Sequence, residues 1–96
     1  MTRLVYAPAA LADLERLCEF LLGSDPGAAV KTGAIIVRGI EVLAEHPLVG
    51  RPVEAGLREL IISRGNTGYV ALYRYDVALD RAMILAIRHQ REAGFA

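Results

Sequence analysis

The stretch 69–91, YVALYRYDVALDRAMILAIRHQR, constrains the fold more than any other part of the chain. From Tyr69 to Val77 the side chains Tyr69, Ala71, Tyr73, Tyr75 and Val77 fall on one side at period two, and Val70, Leu72, Arg74 and Asp76 on the other. Aromatic and β-branched content supports a strand. Residues 78–81, ALDR, interrupt the run with a turn, and 82–88 resume as an apolar strand suited to the middle of a sheet. Four residues cannot carry a parallel crossover, so these two strands pair antiparallel.

A third strand is expected over 57–64, where Leu57, Glu59, Ile61 and Ser63 alternate with Arg58, Leu60, Ile62 and Arg64. Residues 65–68, GNTG, supply the turn into Tyr69. A fourth, short strand is expected at 3–6. Pro8 then suits the first turn of a helix in which Leu11, Leu14, Leu17, Cys18, Leu21 and Leu22 form an apolar stripe opposite Asp13, Glu15, Arg16 and Glu19, and Gly23 ends it. Asp25-Pro26 starts a second helix, with Asp25 as the cap and Pro26 at the first helical position. Its apolar positions Ala29, Gly33, Ile36, Val37, Ile40, Leu43 and Ala44 recur at three and four, and His46-Pro47 closes it. The segment 48–56, LVGRPVEAG, reads as an irregular connector. The order β-α-α-β-β-β predicts an α+β fold in which a helical hairpin packs on one face of an antiparallel sheet.

Ninety-six residues form a single domain spanning 1–96, and a chain of this size buries roughly 60 to 68% of its unfolded surface. Eleven basic and eleven acidic residues balance, which sets this chain apart from strongly basic nucleic-acid binders. Residues 1–50 hold four basic and six acidic side chains, and 51–96 hold seven and five, so positive potential gathers on the strand-rich half. A hydrophobic fraction of 54% is high for so small a domain and implies apolar surface left for a partner. There is no apolar run of about 18 residues and no secretory leader pattern, and the single cysteine excludes an internal disulfide, all of which suits the cytoplasm.

The side chains able to do chemistry are Arg58, Arg64, Arg74, Arg88, His89 and Arg91. Arg58, Arg64, Arg74 and Arg88 share a parity and would converge on one sheet face if register permits. Guanidinium groups beside an imidazole can hold phosphate oxygens and move a proton, as RNA cleavage through the 2′-hydroxyl requires. The alternative is that these arginines are solvated strand ends paired with Glu54, Glu59, Asp76 or Asp80. Cys18 reads as a small core residue, and His46 as a group at a helix end. Tyr69, Tyr73 and Tyr75 suit either base stacking or sheet packing. No phosphate-binding glycine loop and no metal-ligand spacing is present, and no cofactor is expected.

Taken in order, HPLVGRPV, LREL, YVALYRYD and ILAIRHQR resemble the RelE/ParE superfamily of type II toxins, also called plasmid stabilisation proteins. The resemblance extends over nearly the whole chain. It implies a cognate antitoxin, ParD-like or similar, whose C-terminal segment wraps and neutralises the toxin, in a toxin–antitoxin hetero-oligomer. RelE-like members cut mRNA in the ribosome, whereas ParE-like members poison DNA gyrase. The ribonuclease branch generally carries an arginine after the glycine-tyrosine that here is Gly68-Tyr69, and this chain has Val70. The resemblance therefore leans to the ParE side, where binding rather than catalysis is the activity, with Arg64, Arg74, Arg88, His89 and Arg91 as target-binding residues. On the RelE reading Arg64, Arg88, His89 and Arg91 would form the nuclease set, and an inert relative that only represses its own operon with the antitoxin is a third possibility.

Overall fold

The structure, a computed structural model, describes residues 1–22, 25–64 and 67–91, and the side chains of all of these except 20–22, 63, 64 and 67. The expected stop at Gly23, the lead-in at Ser24 and the turn at Gly65-Asn66 lie outside the described residues. Strand β1 runs Arg3–Tyr6, helix α1 Pro8–Leu22 and helix α2 Pro26–Glu41, and α2 leads into a 3-10 turn at Val42–Ala44. The Asp25 carboxylate accepts the Ala28 N–H at 3.0 Å, and Pro26 takes the first position of α2, as a helix start requires. Strands β2 (Arg51–Pro52), β3 (Arg58–Arg64), β4 (Thr67–Asp76) and β5 (Arg81–His89) follow, with a 3-10 turn at Glu54–Gly56 between β2 and β3.

The sheet order is β1-β5-β4-β3-β2, with the hairpin of α1 and α2 on one face. The α+β expectation holds with two corrections. The sheet is mixed, because β1 pairs parallel with β5 while every other pair is antiparallel. Alternation in a four-residue strand reveals its faces and not its neighbour, so β1 carried no sign of its direction. The connector, read as irregular, also contributes β2, whose Arg51 and Pro52 face Glu59 and Arg58; two residues give no periodicity to read.

The core lies between the sheet and the helices. Ile36 and Ile40 of α2, Leu43, Leu60 and Ile62 of β3, Tyr69, Ala71 and Tyr73 of β4, and Ala82, Ile84 and Ile87 of β5 are buried together. Gly39 lets α2 lie directly on β3, since a Cβ there would stand 2.8 Å from Ile62 Cγ2. The stripe on α1 is rotated from the expected one: Leu11 is exposed and Asp13 is buried, so α1 enters the core through Ala10, Asp13, Leu14 and Leu17. A carboxylate at the centre of that face gave the wrong sign to a wheel drawn on polarity alone.

Candidate target-binding site

Tyr73 and Arg58 organise the connector that precedes β2. Tyr73 is fully buried; its hydroxyl donates to the Pro47 carbonyl at 2.7 Å and accepts the Gly50 N–H at 2.9 Å. Burial pushes the phenol above its ordinary pKa, opposed by the Gly50 hydrogen bond and the Arg58 charge. A Cβ on Gly50 would stand 2.5 Å from the Tyr73 ring, so no larger residue fits against it. Arg58 Nη1 donates to the Leu48 carbonyl at 3.0 Å and the Gly50 carbonyl at 2.8 Å. Arg58 is thereby a loop clamp, with its Nη1 shared between two backbone carbonyls.

The clamp holds Leu48 and Val49 exposed at the surface, beside His46. Next to them is a recess of about 450 Å³ lined by Met1, Glu41, Val42, Ala44, Glu45 and His46. Val77 and Leu79 stand exposed on the β4–β5 turn. That turn is tied to the N-terminus: Thr2 Oγ1 and the Tyr75 hydroxyl both donate to Asp80 Oδ1, at 2.6 and 2.8 Å. The two hydrogen bonds, that of Thr2 first, hold the Asp80 carboxyl below its ordinary pKa.

The opposite end of the sheet carries Arg64, Arg88, His89 and Arg91, and the register decides which way the strand residues face. Along β3 and β4, Leu60 opposes Ala71 and Ile62 opposes Tyr69, so Arg58, opposite Tyr73, lies on the helix-covered face. Along β5 the pairing steps from Tyr73 opposite Ile84 to Leu72 opposite Ala86, leaving Leu85 as an extra residue, a β-bulge. Beyond the bulge the parity changes. Ile87 and His89 turn to the helix face, and Ala86 and Arg88 to the face away from the helices, where Ala86 is buried and Arg88 half-buried.

The expected convergence therefore fails: Arg58 lies on one face, Arg74 and Arg88 on the other. Arg74 opposes Met83 while Arg88 opposes Val70, four residues along β4, which separates them by about 13 Å at a strand rise near 3.3 Å. The structure brings Arg88, His89 and Arg91 to one sheet end with Gly68 and Tyr69, and places the Arg64 backbone at that end; the Arg64 side chain lies outside the described ones. Arg74 stands apart, exposed on the outer face.

Within this end, Arg88 Nη1 donates to the carbonyls of His89 and Gln90, at 3.2 and 3.3 Å. His89 Nδ1 accepts the Arg91 N–H at 3.0 Å, so the neutral ring carries its proton on Nε2. The imidazole packs edge-on to Tyr69, centroids 5.4 Å apart and planes at 84°. Gln90 N donates to the Gly68 carbonyl at 2.9 Å, and the Gln90 side chain occupies the space where a Cβ on residue 68 would sit. Val70, directly opposite Arg88, is buried.

Two residues escaped the sequence reading. Gln90 carries no chemistry of its own and no signal. Asp13 did have one, since Ala10, Asp13, Leu14 and Leu17 recur at three and four. Its Oδ2 accepts the Ile87 N–H at 2.9 Å in a buried contact, and its other oxygen lies 3.9 Å from Arg16.

Residues 4–94 match the ParE toxin of the type II toxin–antitoxin system parDE. The chain belongs to the ParE toxin family. Among curated proteins this ParE-family chain is 40% identical over 85 residues to Toxin RelE3 of Caulobacter vibrioides, covering 88% of this chain and 90% of that protein. It is 37% identical over 62 residues to Toxin RelE1 of the same organism, covering 65% and 67%. Among solved structures, the chromosomal ParDE toxin–antitoxin system from P. aeruginosa superposes with a TM-score of 0.74 at 27% identity, covering 91% of this chain and 94% of that one. The RelBE2 toxin–antitoxin complex from Mycobacterium tuberculosis matches in fold, with a TM-score of 0.65 at 24% identity, covering 95% and 93%. Helical hairpin and five-stranded sheet are thus those of ParE and RelE toxins. Among the described residues no helix is long and apolar enough to cross a membrane.

Proposed function

We propose that this ParE-family protein acts by binding DNA gyrase through its basic sheet end, and that a ParD-like antitoxin holds it inactive. The observation that carries the reading is the facing of adjacent groups: half-buried Arg88 on the face away from the helices, His89 on the helix face against Tyr69, and buried Val70 where a phosphate-holding arginine would be needed. A guanidinium and an imidazole on opposite faces do not share one phosphate, whereas they suit a binding surface that wraps a sheet edge. A formal charge of zero is consistent with a protein target, since docking on ribosomal RNA gains from net positive charge.

The antitoxin follows from the exposed apolar side chains Met1, Val42, Leu48, Val49, Val77 and Leu79, and from the solved relative, which is a ParDE system. A chain that folds onto such a surface buries it. Expressed without antitoxin, the protein should induce the DNA-damage response and trap cleaved plasmid with purified gyrase. Transcripts cut at the ribosomal A site, with supercoiling untouched, would contradict this.

That outcome belongs to a second reading, a ribosome-dependent endoribonuclease using Arg64, Arg88, His89 and Arg91. It draws support from the names of the Caulobacter relatives and from the His89 imidazole, which stands at the same sheet end as Arg88 and Arg91 and is oriented through Nδ1.

A further inference from the structure

The backbone of β5 explains a buried carboxylate for which neither gyrase binding nor RNA cleavage has a use. Strand β1 covers β5 only as far as Ile84, and the last bond on that side is Ala7 N to the Ile84 carbonyl at 2.8 Å. Beyond it, among the described residues, the β5 edge runs on without a strand neighbour. The extra residue Leu85 then changes the parity, so that the Ile87 amide points to this uncovered edge. A buried N–H must find an acceptor, and α1 supplies one in Asp13, 74 residues away along the chain. Removing a carboxylate from water is costly, and a residue serving helix stability alone would sit on the solvent side. The contact falls two residues after the bulge and immediately before Arg88.

We infer that Asp13 is a positioning residue: its hydrogen bond to the Ile87 amide locks the Leu85 bulge in phase, and thereby determines that Arg88 faces the side of the sheet away from the helices and His89 the Tyr69 side. Without it, a slip of the β5 end by one residue would exchange the two faces, because the side-chain period of a strand is two. The inference rests on the basic-end reading for its functional weight, and on the backbone alone for its structural content.

Nuclear magnetic resonance of the isotope-labelled 96-residue chain tests it. In the unaltered protein a scalar coupling should cross the hydrogen bond from the Ile87 nitrogen to the Asp13 side-chain carbon, and its absence would overturn the contact itself. In Asp13→Leu the Ile87 amide should exchange about tenfold faster, the loss expected for one buried acceptor, while Ala71 and Ile84 keep their protection and the Tyr69–His89 cross-peak collapses. Asp13→Asn keeps an acceptor oxygen and should preserve both signals. Equal acceleration at Ile87, Ala71 and Ile84, or an undiminished Tyr69–His89 cross-peak in Asp13→Leu, would reduce Asp13 to a general stabiliser and overturn the inference. Growth inhibition separates the two claims. If Asp13→Leu loosens β5 alone and still kills, the lock stands and the basic-end reading falls.

Discussion

Across β3 and β4 the residue pairs follow one another without interruption, from Arg58 opposite Tyr73 to Arg64 opposite Thr67. Across β4 and β5 the ladder breaks once, at Leu85, and everything beyond it changes face. The first pair is held in phase by bulk: Leu60, Ile62, Tyr69, Ala71 and Tyr73 all point into the core, and a slip would expel every one of them. The second pair is held in phase at its far end by few groups, among them Ile87 in the core and the Asp13 contact at its amide. The lesson is that the regular ladder specifies the scaffold while the interrupted one aims the side chains proposed to touch the target.

Deletions separate the two regions most strongly. Removing Ile61 should turn Ile62 to the open face and abolish folding, because the loss is comparable to the roughly 5–15 kcal/mol that holds a domain of this class. Removing Leu85 should leave a soluble, folded chain, since Ala82, Ile84, Ile87 and His89 then alternate regularly onto the helix face. Circular dichroism and urea titration read both; a folded Ile61 deletion or an unfolded Leu85 deletion would break the comparison. Point truncations should repeat the contrast at smaller scale. Leu60→Ala should cost about 2–5 kcal/mol, as for a buried leucine, and Leu85→Ala about 1 kcal/mol, since Leu85 is only half-buried; equal costs in denaturant titration would remove the distinction.

The smallest effect concerns the turn end of β4–β5. The folded state holds the Asp80 carboxyl below its ordinary value of 3.8, so its contribution is complete at neutral pH and is lost as pH falls below that value through the folded one. Asp80→Asn should therefore lose less thermal stability than the parent between pH 7 and pH 3, and parallel losses would show that the Thr2 and Tyr75 bonds do not stabilise the charged form.

This contrast also marks how far the sequence could be read. The alternation of β3 and β4 was legible because each position has one face and no residue is extra, and the Asp25-Pro26 start was legible because its chemistry is local. The facing of Arg88 and His89 was not. MILAIR alternates equally well with or without a bulge, and only the Leu72–Ala86 and Tyr73–Ile84 pairings reveal the shift. The parallel docking of β1 was hidden because a partner some 80 residues away leaves no mark on four residues. The role of Arg58 was hidden because a clamp on the Leu48 and Gly50 carbonyls looks, in sequence, like any other strand arginine.

The central claim is that the protein works by contact through its basic sheet end, and one titration tests it most directly. Purified wild-type protein and the double variant Arg88→Ala/Arg91→Ala, both shown folded by matching unfolding midpoints, would be titrated into a gyrase supercoiling reaction. The account predicts inhibition by the wild type and a loss of about tenfold or more in potency for the double variant, the scale of charged contacts at a binding surface. Equal inhibition by both proteins, or none by the wild type, would contradict it.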